Sequence, residues 1–94
     1  MFTNVTIHPT SNLEDVNFSG SVMDNFNIKG SNLGRSEFAD VLARDDCNFK
    51  NISFKVGKRE YDGPYKRASS TVKALIERDN PEMVKGFKEP AREK

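Results

Sequence analysis

The chain has 94 residues, 35% hydrophobic and 31% charged, with a net charge of +1. That length allows one small domain with a thin core, and the near-neutral balance singles out neither nucleic acid nor an acidic substrate as partner. One cysteine, Cys47, excludes an internal disulfide, and with His8 the single histidine there is no Cys/His cluster for a metal.

Residues 1–10 read as an N-terminal extended cap. Phe2, Val5 and Ile7 line one side of "MFTNVTIHP", and Pro9 stops the segment. A basic stretch followed by an apolar one is missing, so no signal peptide is expected. No apolar run approaches membrane-spanning length. With one cysteine, these features predict a cytoplasmic protein without membrane contact.

From Ser11 the chain nearly repeats in fives: SNLED, VNFSG, SVMDN, FNIKG, SNLGR, SEF. The central column is Leu13, Phe18, Met23, Ile28, Leu33, Phe38. Two places earlier stand Ser11, Val16, Ser21, Phe26, Ser31, Ser36 and Val41. One place earlier, Asn recurs at 12, 17, 27 and 32. The pattern slips near Arg44-Asp45-Asp46 and returns at Cys47-Asn48-Phe49 and Ile52-Ser53-Phe54. A period of five fits neither a helix nor a strand. Asn, Ser and Gly also disfavour a helix interior. A fixed repeat unable to bury its own apolar face predicts stacked turns that share a core.

The small–Asn–Leu/Phe–polar–polar pattern resembles the pentapeptide-repeat family. Nine units run from Ser11 to Val56, roughly half the chain. The resemblance implies a mainly-β fold, a short right-handed quadrilateral β-helix of about two coils over 11–56 with a C-terminal helical cap. Four repeats would make one coil, with the central residue and the one two places before it pointing inward. Leu13 should then lie by Leu33, Phe18 by Phe38 and Ile28 by Phe49. Phe26 departs from the family, which prefers a small residue there. Val41-Leu42-Ala43 is ambiguous, because either Leu42 or Ala43 could be the centre. The coils would rise roughly 10 Å in all at strand spacing.

Residues 57–67, within "KVGKREYDGPYKR", read as a basic linker with a turn at Asp62-Gly63-Pro64. Residues 68–94 read as a C-terminal helical cap and loose tail. "SSTVKALIERD" should be helical, capped by Ser69 or Ser70, with Ala68, Val72, Leu75 and Ile76 on one face. Asn80-Pro81 should start a second short helix, with Asn80 as its cap and Met83, Val84 and Phe87 as its apolar side. These helices would cover the open end of the coil or dock a partner.

Catalytic groups are scarce. Cys47 falls in an inward column, and Glu14-Asp15 and Asp45-Asp46 fall on corners or a loop. No full phosphate-loop spacing occurs. We therefore expect no enzyme activity, no catalytic or metal-binding residues and no cofactor. Charge is uneven: residues 1–54 carry seven acidic and four basic side chains, residues 55–94 seven and eleven.

Three functions stay open. Some pentapeptide-repeat proteins resemble duplex DNA and block gyrase-like enzymes, and small phage-type proteins of this size often block host-defence nucleases. The resemblance thus implies a protein-binding inhibitor of a nucleic-acid-processing or host-defence complex, of anti-CRISPR or antirestriction type, with partial DNA mimicry. Its acidic wall would be Asp24, Glu37, Asp40, Asp45 and Asp46. A roughly 10 Å stub covers only a few base pairs of such a mimic. The alternative binds nucleic acid through Lys58, Arg59, Tyr61, Tyr65, Lys66 and Arg67, where cations and aromatics interleave. The third is a structural adaptor. A homodimer through the C-terminal helices is compatible with each.

Overall fold

A computed structural model describes residues 1–88. In it, every fifth residue turns the chain. Thr10, Asp15, Gly20, Asn25, Gly30, Arg35 and Asp40 all have φ between +53° and +77°. Gly, Asn and Asp tolerate this left-handed region, whereas Thr and Arg occupy it at a cost. Extended backbone between such turns is short, so strands are short too.

Three strands form a parallel sheet in the order β1-β2-β3: β1 (Phe2–Thr6), β2 (Val22–Asn27) and β3 (Leu42–Ala43). Phe2 pairs with Met23, and Met23 with Ala43. Elsewhere the backbone meets in isolated parallel bridges: Asn12 with Asn32, Asn17 with Glu37, Asn27 with Asn48 and Asn32 with Ser53. Bridge partners stand twenty residues apart before Arg44-Asp45-Asp46 and twenty-one apart across it, while β1 and β2 are offset by twenty-one. β4 (Lys55–Val56) and β5 (Arg59–Glu60) form a separate antiparallel hairpin. Gly57 opens its two-residue turn at φ +63°, as a turn with a left-handed first residue requires.

Three helices follow: α1 (Gly63–Lys66), α2 (Ser70–Asp79) and α3 (Pro81–Lys88). Ser69 caps α2, its hydroxyl accepting from the Val72 N–H. The core runs through Phe18, Met23, Phe26, Ile28, Leu33, Phe38, Phe49 and Phe54, joined by Val72, Leu75 and Ile76 of α2. Phe18 and Phe38 stack at 5.0 Å. The large Phe26 fits between Phe2 at 5.2 Å and Phe18 at 5.9 Å. Phe87 of α3 closes over Phe54 at 6.0 Å and Tyr65 at 5.7 Å.

The expected mainly-β quadrilateral β-helix is corrected by this architecture. Helices of 4, 10 and 8 residues stand beside strands of only 5, 6, 2, 2 and 2. Regular pairing is limited to one three-stranded parallel sheet and one two-stranded antiparallel sheet. The physical reason is the turn at every fifth residue, which reduces most pairing to single bridges. The chain is a mixed α and β protein. The stretch 57–67 contains β5 and α1. Asn80 precedes α3, but its side chain bonds to Phe49, Asn51 and Ile76 rather than capping that helix. The expected loose tail from residue 89 onward lies outside the described residues; Lys88 ends α3.

Candidate functional site

The two edges of the stacked backbone differ. On the C-terminal side, polar side chains from Ser69 to Asn80 stand where a further strand would lie. The Ala43 N–H donates to the Thr71 hydroxyl at 3.1 Å, and that hydroxyl donates to the Val41 carbonyl at 2.8 Å. Arg78 donates to the carbonyls of Asp45 and Cys47, each at 2.7 Å. The Phe49 N–H donates to Asp79 at 2.8 Å. Asn80 donates to the Phe49 carbonyl at 2.8 Å and accepts from the Asn51 N–H at 3.0 Å. A helix with an apolar face for the core and polar residues at these positions satisfies backbone that burial would otherwise leave unpaired. Periodicity reveals the apolar face of α2 but not this second role.

The acidic residues divide by environment. Asp40 and Asp45 are exposed and Asp24 is half-buried. None of the three forms an ion pair among the described residues. Glu37 is engaged by Arg67 at 3.3 Å. Asp46 is also engaged, accepting from the Asn25 N–H at 2.8 Å, while the Asn25 amide donates to Asn4 at 2.8 Å. Glu37 and Asp46 thus serve the fold. Between Asp40 and Asp45 lies Leu42, 42% exposed and paired with the half-buried Val22. The same register, extended one residue back, puts Met1 beside Val22, and Met1 is 84% exposed. A short apolar stripe therefore crosses the outer face of the parallel sheet between carboxylates. Arg44, next to Asp45, is exposed.

The basic segment is less available than its sequence suggests. Tyr65 is buried, its ring against Phe87 and its hydroxyl donating to Glu77 at 2.6 Å. Burial and the Glu77 carboxylate push the phenol up to about 12. The Tyr65 ring, named with its neighbours as a candidate nucleic-acid contact, faces the core. Lys66 pairs with Asp62 at 3.2 Å. Arg67 donates to the Tyr61 hydroxyl at 3.0 Å and lies 5.8 Å from that ring. Lys58 and Arg59 are exposed and form no ion pair among the described residues.

Arg59, Glu60 and Tyr61 meet Arg35 and Val56 around an open cleft of about 270 Å³. Arg35 is held there by Asp15 at 3.3 Å and Glu14 at 3.8 Å. Cys47 is buried, and its thiol faces the Met23 carbonyl at 3.5 Å. Among the described residues no three His, Cys, Asp or Glu converge as a metal site, and no helix is long and apolar enough to cross a membrane. No protein-family model, curated protein or solved structure matches the chain.

Proposed function

We propose that this chain is a non-catalytic protein-binding module that contacts its partner through the outer face of β2 and β3. One observation carries the reading: Asp24, Asp40 and Asp45 form no ion pair among the described residues around an apolar stripe centred on exposed Leu42. An apolar anchor ringed by unpaired carboxylates suits a partner with a complementary apolar site and a basic rim. A nucleic-acid-processing or host-defence enzyme has a basic face of this kind, so inhibition of such an enzyme in the cytoplasm is the role proposed. Kinship with pentapeptide-repeat proteins is part of this proposal, supported by bridges between residues twenty or twenty-one positions apart. Dimerisation through the C-terminal helices draws less support, because α2 is occupied by the edge it covers.

The test compares partner capture by the parent and by Leu42→Asp. Leu42 points outward, so its replacement should leave the melting temperature unchanged while one captured protein disappears. An identical set of captured proteins would remove this face from the account. A second reading places nucleic acid at the Arg35–Arg59–Tyr61 cleft, favoured by the exposed Tyr61 ring beside Arg59, which forms no ion pair among the described residues. Salt-sensitive binding of a generic oligonucleotide, abolished by Arg59→Gln, would promote it.

A further inference from the structure

Among the described residues, none covers the end of the stack opposite α2. In the second layer, the Asn32 N–H donates to the Ser11 carbonyl at 3.0 Å, and the Asn32 carbonyl accepts from Leu13 at 2.8 Å. The Glu37 N–H donates to Val16 at 3.0 Å, and its carbonyl accepts from Phe18 at 2.8 Å. Asn12 and Asn17 occupy the same positions one layer earlier. Their backbone N–H and carbonyl groups have no partner among the described residues. Their side chains fold back onto the N–H groups of Glu14 and Ser19, at 3.1 and 2.8 Å, and leave the outer edge open. β1, the outermost strand of its sheet, continues that edge. Phe2, Val5, Ile7, Leu13 and Val16 at this end are only partly buried.

We propose that this end pairs with the same end of a second copy of the chain, edge to edge about a twofold axis. The open groups are backbone donors and acceptors, and a strand edge is what meets them. Charge selects the second copy. Residues 1–23 carry no Lys or Arg and only two acidic side chains, Glu14 and Asp15, and Arg35 pairs with both, offsetting one of the two charges. β1 has none of the lysines, prolines or inward charges that keep strand edges apart. Two copies therefore meet with little like-charge repulsion, and a twofold axis makes one edge its own complement. The union also covers the five half-buried apolar residues. It leaves the Leu42 face and its partner outside the interface.

The test is sedimentation equilibrium from micromolar to millimolar protein, with amide exchange read residue by residue. We expect a monomer–dimer equilibrium in which the Asn12 and Asn17 amides exchange at least tenfold more slowly in the dimer. Asn17→Pro removes an N–H that has no intramolecular partner, so it should yield a folded monomer. A monomer throughout that range overturns the proposal. So does a dimer whose Asn12 and Asn17 amides stay unprotected, because its interface then lies elsewhere. The exchange measurement on the parent decides the matter even if Asn17→Pro fails to fold.

Discussion

The Asp79 carboxylate accepts the Phe49 N–H at 2.8 Å, thirty residues back along the chain. Arg78 holds the same carboxylate at 2.8 Å, and the Asp79 side chain is only 3% exposed. Asp79→Ala should cost about 1.5–3 kcal/mol, the usual range for losing hydrogen bonds to a charged group. Urea unfolding at neutral pH measures it. Burial alone would raise this carboxyl, but the Arg78 and Phe49 hydrogen bonds outweigh burial and hold it below its ordinary 3.8. A depressed carboxyl stabilises the fold above the unfolded value, and that contribution is lost as pH falls through the folded one. The parent should therefore lose more stability than Asp79→Asn on acidification below about pH 4. Parallel acid limbs for the two proteins would show that this link is not felt.

Phe38 stacks on Phe18 at 5.0 Å and meets Phe49 edge-on at 6.2 Å. It is fully buried. Phe38→Ala should cost about 3–5 kcal/mol, a large share of the roughly 5–15 kcal/mol that stabilises a typical domain. A melting temperature within a degree or two of the parent would mean that the gap closes over.

These two cases mark how much of the fold the sequence reveals. The Phe18/Phe38 contact is legible, because apolar centres five residues apart return to register after twenty. The shift to twenty-one at Asn27/Asn48 is legible too, from the extra residue at Arg44-Asp45-Asp46. The mainly-β class is misread, because the turn at each fifth residue limits strand length and the C-terminal third folds into three helices. The Asp79–Phe49 bond is invisible in advance. Nothing in "ERDN" tells a solvated charge cluster from side chains aimed at a backbone edge. The candidate site is partly legible for the same reason. Asp46 and Glu37 look like Asp40 in the sequence, and only the fold assigns them hydrogen-bonding partners.

Thr10 is an exposed β-branched residue at φ +70°. Its layer neighbour, Gly30, adopts φ +77°. A β-branched side chain is a poor occupant of this region, and asparagine is a good one. Thr10→Asn should stabilise the protein by about 1 kcal/mol and raise the melting temperature by about 4–8 °C for a domain of this size. Calorimetry checks it, and a fall in melting temperature would contradict the strain argument.

Two glycines should respond in opposite ways. A Cβ on Gly34 would lie 2.1 Å from the Lys55 carbonyl oxygen, a backbone atom that cannot step aside. Gly34→Ala should therefore cost about 3 kcal/mol or more as the layers are forced apart. A Cβ on Gly86 of α3 meets nothing within 4 Å. Gly86→Ala should stabilise by about 0.5–1 kcal/mol through helix propensity. Thermal melts of both variants report the contrast, and equal shifts would refute the close-approach reading.

The acidic face makes a kinetic prediction. Asp46 and Glu37 must be spared, because one accepts from Asn25 and the other holds Arg67. Asp24, Asp40 and Asp45 can be neutralised without losing an ion pair among the described residues. Asparagine is the suitable replacement at all three, and at Asp40 it also tolerates the left-handed φ of +57°. The triple variant should melt close to the parent. Against a partner steered by these charges it should associate about tenfold more slowly at low salt, with the difference shrinking as salt screens the interaction. Dissociation should change less, since the Leu42 anchor remains. Leu42→Ala, which changes no charge, should do the reverse, speeding dissociation while leaving the salt dependence of association largely intact. Stopped-flow association measured against ionic strength separates the two effects. Association rates that match the parent at every salt concentration would leave the carboxylates no part in steering.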